Sequence, residues 1–349
     1  MDADWLDMTH HPASSASPHA DDPTPVGLPT RRRPSPGAWA TSPVERLLVE
    51  RLGGIPWTGP DPTGRTHQEA LARWAELRTL LEYDDVSAKR WMTLDSAKFA
   101  KTRRNTEVVP AGVTLLSATG ARTEWASLTA DERSAWAEVL EYSVDDIDEL
   151  VRHTVCERST KGCRDGCVVA RSRNAQNGTT PLTRLARTLL TLAHPAESLE
   201  LTRAALGELV VRHGADNVRW RMNIGDDVRW ECVAPGMLGV VAAYAYTKHA
   251  PAARPEMAGL TRIVYSASER WSDAQILDVC GQGHTVAVVF TTRRNQQLPT
   301  TWHGMPVVNG DATDDLWSHP HSVIVGLTVK GPDNATIEAA IRSGFARPV

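Results

Sequence analysis

Apolar positions recur with a helical spacing in the first part of the chain and gather into short continuous runs in the second. Ser42 can cap a helix with Pro43 in its first turn, and Val44, Leu47, Leu48 and Leu52 form one apolar stripe that ends at Gly53-Gly54. After a Pro/Gly linker from Pro56 to Gly64, a second helix is predicted from about Thr66 to Leu81, with Leu71, Trp74, Leu77, Leu80 and Leu81 on one side. Residues 91–118 are polar and basic and end in a short apolar run, Val113 to Leu116, that reads as a strand. Thr129 and Ser143 each open a helical segment, the second with Asp145 and Asp146 in its first turn. One long helix is predicted from about Pro181 to His213.

Beyond it the texture changes. Six β-branched or apolar runs end in polar residues: 218–227, 240–249, 261–269, 285–292, 305–311 and 322–331, with a helix from Ser272 to Val279 between two of them. Near-continuous apolar strands indicate a parallel sheet covered on both faces. Polar tips at successive strand ends suit the active face of a partial or full (β/α) barrel, although a doubly wound sheet has the same signature. The expected fold class is therefore α/β with a barrel-like core over 91–349, a helical extension over 43–90 and a disordered tail over 1–42.

Composition narrows this only a little. With 41% hydrophobic and 23% charged residues the chain can bury a core, and a formal net charge of −4 excludes a global basic field for coating nucleic acid. No apolar run approaches a membrane span, and the acidic, polar start lacks the features of a secretory signal. The expectation is a cytoplasmic protein with no membrane partner. Lys98, Lys101, Arg103 and Arg104 form the best local basic patch, and Arg31–Arg33 a second, either of which would meet nucleic acid phosphates.

The five cysteines change the picture more. Cys156, Cys163 and Cys167 lie in a C-x6-C-x3-C loop after an expected strand, Arg152 to Val155; Cys232 and Cys280 follow no metal spacing and read as packing residues. Gly162 and Gly166 let the loop bend, and Arg158, Lys161 and Arg164 would favour thiolates. Three sulfurs can hold three irons of a [4Fe–4S] cluster, leaving the fourth iron open. They can also supply three ligands of a zinc site, with His153 or Cys232 as the fourth, or remain unligated.

The strand tips supply the rest of the candidate site. Asn223, Asp226 and Asp227 follow one strand, and two adjacent carboxylates can position an amine or act as a base. Tyr246, Lys248 and His249 end the next, and Ser266, Ser268 and Glu269 a third. Asp227, Lys248 and Tyr246 are the catalytic candidates; Asn223, Asp226 and Ser266 are the cofactor-binding ones. Asn309, Asp311, Asp314 and Asp315 make an acidic loop without calcium-loop spacing, and His319 and His321 flank Pro320. No Walker loop, HExxH helix or nucleophile elbow is present in the sequence.

From about Asp95 to Phe345 the chain resembles the phage-encoded gene product eighty-eight domain. The stretches that carry this are DSAKFAKT, LLSA, the cysteine loop, TRLARTLLTLAHPAESL, VRWRMNIGDDVRWE, YAYTKH, YSASE, VAVVF, GMPVVNGDATDDLW and VIVGLTVKG. The resemblance implies a phage or plasmid setting in a bacterial host, without a particular reaction. The cysteine loop also makes the chain similar, more distantly, to radical S-adenosylmethionine enzymes. That resemblance implies a [4Fe–4S] cluster on Cys156, Cys163 and Cys167, with Asp226 and Asp227 at the amino group of S-adenosylmethionine and Ser266 near its ribose. The sequence departs from that pattern, C-x3-C-x2-C, in its longer spacing and in Gly166, where an aromatic residue usually precedes the third cysteine. The leading expectation is a cytoplasmic iron–sulfur enzyme of this type acting on a nucleotide, a nucleic acid base or another substrate. The alternative is a non-catalytic nucleic-acid-binding or host-interaction protein with a structural zinc.

Overall fold

A computed structural model describes residues 42–82, 91–165, 167, 169, 180–331 and 333–349. Of the expected tail over 1–42, residues 1–41, with Arg31–Arg33, lie outside the described residues, as do the end of the helical extension (83–90) and Gly166. The described residues all fall in one compact unit.

Helix α1 (Pro43–Arg51) starts on Ser42, whose hydroxyl accepts from the Glu45 N–H while the Glu45 carboxylate returns to the Ser42 N–H, a reciprocal capping box. Helix α2 (Arg65–Leu80) buries Ala70, Trp74 and Leu77. These two helices share one apolar core with the rest of the unit, where Trp74 meets Trp91 edge-on at 5.1 Å. Helix α3 (Ala97–Asn105) leads into strand β1 (Val109–Ala111). Helices α4 (Ala118–Ser127), α5 (Ala130–Val139) and α6 (Val144–Leu150) follow, capped by Ser117, Thr129 and Ser143. The cysteine loop contains the short helix α7 (Lys161–Asp165).

Three expected boundaries moved. The long helix is two, α8 (Thr180–Ala193) and α9 (Pro195–His213), because Pro195 cannot continue the hydrogen-bond ladder and His194 turns out of helical geometry. The strand expected at Val113–Leu116 begins earlier, at β1. The 113–116 segment is held individually instead: the Leu115 N–H donates to Ile224 O and the Leu116 N–H to the Thr188 hydroxyl. Arg152–Val155 is a turn, not a strand; its last carbonyl accepts from the Asp227 N–H at 2.7 Å.

The sheet continues with β2 (Val218–Arg221), β3 (Ala242–Thr247), β4 (Thr261–Ser266), β5 (Thr285–Phe290), β6 (Thr301–Trp302), β7 (Met305–Asn309), β8 (Ile324–Thr328) and β9 (Ala346–Arg347). Helix α10 (Trp230–Val233) follows β2, α11 (Asp273–Gly281) follows β4, and α12 (Asn334–Arg342) follows β8. The strand order is β1-β2-β3-β4-β5-β8-β7-β6, parallel except for the β6–β7 hairpin, with β9 also on β5. From β1 to β5 each strand lies beside its predecessor, so the sheet winds in one direction. That selects the barrel-like alternative over a doubly wound sheet, in which the order reverses at a switch point. The sheet is curled and open, a half-barrel.

Alternation along the strands assigns the two faces. Ala243, Ala245, Ile263, Tyr265, Val286 and Val288 pack with α8, α9 and α11 in the main core. Tyr244, Val264, Ala287 and Val325 point the other way, into the curl, where Leu316 covers them in a second small core. Polar tips at the C-terminal ends of β2, β3 and β4 therefore converge at one mouth.

One buried ion pair joins the helical preface to that mouth. Arg229 donates through its backbone N–H and guanidinium to the Glu45 carboxylate, at 2.6–3.0 Å, with Glu45 1% and Arg229 8% exposed. Burial pushes the Glu45 carboxyl up, but the Arg229 donors outweigh it and hold the group below its ordinary value. Its stabilisation is therefore present above the unfolded carboxyl value, about 4.3, and is lost as pH falls through the lower folded value. Glu45→Gln should cost about 3–5 kcal/mol at neutral pH, since it strands a buried guanidinium. Urea unfolding of both proteins should show that gap narrowing toward about pH 4 and below.

Candidate functional site

The mouth is built around the turn after β2. Gly225 adopts φ +89°, and a Cβ there would lie 2.4 Å from Leu115 O and 3.0 Å from Val169, so the turn, the segment after β1 and the end of the cysteine loop meet only because this position has no side chain. The Cys156 thiol donates to the Gly225 carbonyl. Asp226 turns inward. Its carboxylate accepts from Asn223 Nδ2, from the Ile224 and Val228 N–H groups and from Trp230 Nε1, while Asn223 also donates to Val228 O. Burial pushes the Asp226 carboxyl up to about 7, although those donors pull it down. Asn223 and Asp226 thus hold the turn together from within.

Asp227 faces the mouth and knots four segments. Its carboxylate accepts from the Thr247 hydroxyl at 2.6 Å and the Lys248 N–H at 3.0 Å, and Arg254 approaches to 3.5 Å. Its own N–H holds Val155 at the entrance to the cysteine loop, and its carbonyl contacts the His249 ring. Arg254, 1% exposed, is locked between Asp227 and Glu231. Burial pushes the Asp227 carboxyl above its ordinary value, against the pull of Arg254 and His249.

Lys248 lies beside the cysteine loop. Its ammonium donates to Ser266 O at 3.2 Å and Ala267 O at 2.9 Å, and sits 5.3 Å from the Phe345 ring centroid. Burial lowers its pKa, while Cys163, Asp227 and Glu269 raise it. Ser266 thus enters through its carbonyl. Glu269 pins the loop from the next strand end: Thr160 Oγ1 donates to it at 2.7 Å and the Gly162 N–H at 2.9 Å. Tyr246 lies deeper on the inner face, where its hydroxyl accepts from Lys98 Nζ at 3.3 Å.

The three sulfurs share this mouth. Burial pushes the Cys156 thiol well up and the Cys163 thiol up. Asp226, Asp227 and the two other cysteines add to the shift at Cys156; at Cys163, Lys248 opposes it. Arg158, Lys161 and Arg164 are not among the main charges that act on Cys156 or Cys163. Lys161 pairs with Asp165 and Arg164 bonds Ser159 O, both on the exposed side of the loop. Arg184 on α8 lies near Cys167 and donates to Val169 O at 2.6 Å. Arg184, Arg254 and Phe345 were not singled out by the sequence, where they carry no motif, and only the fold brings them here, whereas Glu269 stands at a strand tip that the sequence marked. Among the described residues, no three His, Cys, Asp or Glu side chains stand at metal-ligating separation.

Other candidates disperse. Cys232 sits on α10, where burial, Glu231 and Glu45 push its thiol up to about 12 against the pull of Arg229 and Arg254. The acidic loop is divided among cations: Asp311 with Lys330, Asp314 with Lys98 and Arg221, Asp315 with Arg219. His321 bonds Arg262. In the basic patch, Lys101 donates to Asp311 O and Arg103 to Leu94 O, which leaves Arg104 as its exposed member.

These features define an α/β half-barrel protein with a cysteine loop over its C-terminal mouth. The family model described as gene product 88 matches residues 114–348, two thirds of the chain, and the chain belongs to that family. The match starts after Asp95, so α3 lies outside it. Neither the curated proteins nor the solved structures contain a match. No described helix is long and apolar enough to cross a membrane.

The loop's seating on Glu269 is testable. Glu269→Ala removes the acceptor of two hydrogen bonds, a loss of about 1.5–3 kcal/mol each for bonds to a charged group, confined to the loop. Alkylation of Cys163 in metal-free protein should quicken at least several-fold while the global unfolding midpoint barely moves.

Proposed function

We propose that this protein is a cytoplasmic iron–sulfur enzyme of the radical S-adenosylmethionine type, with a [4Fe–4S] cluster on Cys156, Cys163 and Cys167. The observation that carries this reading is the meeting of the three-cysteine loop with Asp227, Lys248 and Glu269 at the C-terminal mouth of the half-barrel. The donor set fits the group: three thiols in one loop, partly exposed, beside a cation that lowers the cost of a thiolate at Cys163. When bound, such a cluster supplies single electrons and an open iron for an exogenous ligand.

The chain's own residues do the remaining work. Asp227 fixes the end of β3 and the start of the cysteine loop relative to one another. Lys248 has three protons, of which two are directed to the carbonyls of Ser266 and Ala267, and offers the third at the mouth. Those carbonyls hold it in place and Phe345 shields it from water. Asp226 keeps the turn rigid beneath the loop and does not contact the ligand. The substrate reaches the mouth along the inner face.

The zinc alternative gains no fourth ligand from Cys232, which lies with Glu45 and Arg229. Protein purified without oxygen should be brown and carry about four irons per chain, and Cys→Ala at any of positions 156, 163 and 167 should abolish the colour. A colourless protein that holds one zinc and takes up no iron on anaerobic reconstitution overturns the proposal.

A further inference from the structure

The inner face holds a second cluster of charged groups that the cysteine chemistry does not use. Asp314, with a side chain 0% exposed, receives Lys98 Nζ at 2.6 Å, Arg221 Nη1 at 2.7 Å and the Tyr244 hydroxyl at 2.7 Å. Tyr246 lies between the two cations. Its ring centroid is 5.0 Å from Lys98 Nζ and 5.2 Å from the Arg221 guanidinium carbon.

The charges here do not cancel. Lys98 and Arg221 face a single carboxylate. The neighbouring pair, Arg219 and Asp315, balances itself at 3.4 Å. Burial pushes both tyrosines up and His319 down, so all three are neutral at neutral pH. One positive charge is therefore left over. That excess charge is reachable: Lys98 and Arg221 keep 25% and 21% of their side-chain surface, whereas the carboxylate between them keeps none. Arg221 directs Nη1 to Asp314 and Nε to Asn223 O, and its Nη2 makes no hydrogen bond among the described residues.

We infer that Arg221, Lys98 and Tyr246 form a carboxylate-binding subsite on the inner face of the half-barrel, which holds the anionic end of a ligand whose other end meets the cysteine loop. A carboxylate matches the single excess charge, whereas a phosphate dianion would reverse it, and the guanidinium fork suits a planar oxyanion. The position suits the role. Tyr246 and Lys248 are two residues apart along β3, roughly 7 Å, and Lys248 borders Cys163. That the ligand is the substrate of the cysteine site rests on the proposed function; the subsite itself does not.

The full chain is titrated calorimetrically with propionate, with propionamide as the neutral control and inorganic phosphate as the competing anion. Propionate should bind, propionamide should not, and phosphate should bind at least several-fold more weakly. Lys98→Gln cancels the excess charge while leaving Asp314 paired with Arg221, and should weaken propionate at least tenfold. Tyr246→Phe removes one hydroxyl and should weaken it a few-fold without loss of folded protein. No propionate-specific binding, equal binding by Lys98→Gln and the unaltered chain, or a preference for phosphate overturns the subsite. The same titration on a chain with Cys156, Cys163 and Cys167 replaced by alanine separates the two ideas. Propionate binding should persist there, and if the unaltered protein also proves colourless, the subsite stands and only its link to iron chemistry falls.

Discussion

The mouth of this half-barrel depends on one buried carboxylate. Asp227 accepts from the end of β3 through Thr247 and the Lys248 N–H, faces Arg254, and by its own N–H holds Val155 at the start of the cysteine loop. A carboxylate at 9% exposure is costly unless its lone pairs are filled, and here the donors come from the end of β3 and from Arg254, not from its own turn. Its desolvation is offset only when all those segments are in place, which makes their assembly cooperative. The loop that carries Cys156 is tied to the same residue through the Asp227 N–H, so it cannot leave without breaking that buried backbone hydrogen bond.

Around that knot the two aspartates take opposite roles despite being neighbours. Asp226 points into the protein and is filled by donors from its own turn; Asp227 points to the mouth and is filled from elsewhere. The difference follows from Gly225, whose positive φ reverses the chain between Ile224 and Asp226 and brings Leu115 and Val169 against the turn. Any side chain there would collide with backbone, so the turn's shape and the seat of the Cys156 thiol have the same cause.

Six strands were legible because each is a long run of β-branched or apolar residues; the short β6 and β9, two residues each, carry no such pattern. The choice between a barrel-like and a doubly wound sheet was not legible, since both produce the same local texture and differ only in which strands are neighbours. At the site, Cys156, Cys163, Asp227 and Lys248 were found from loop spacing and strand-end position. Arg254 and Arg184 were missed because a lone charged residue away from a strand end has no local signal, whereas Glu269 stood at a strand tip and was named. The internal engagement of the basic patch was not legible for a related reason: a sequence shows that Lys98, Lys101 and Arg103 are close along the chain, not that the Asp311 and Leu94 carbonyls and Asp314 engage them.

The electrostatics of the inner face are layered along its length. Near the loop, Asp226 and Asp227 make the surroundings of the Cys156 thiol unfavourable to further negative charge. Deeper in, Lys98 and Arg221 outnumber Asp314. In a low-dielectric interior such a gradient is weakly screened, so a ligand with one anionic end meets attraction below and repulsion above. Only one of its two orientations satisfies both layers. The same gradient raises the free energy of the metal-free thiolates, so a cation bound at the loop would gain from Asp226 and Asp227 what the bare sulfurs lose to them. The opposite charge surroundings at the two ends of the inner face thus come from one arrangement of buried side chains.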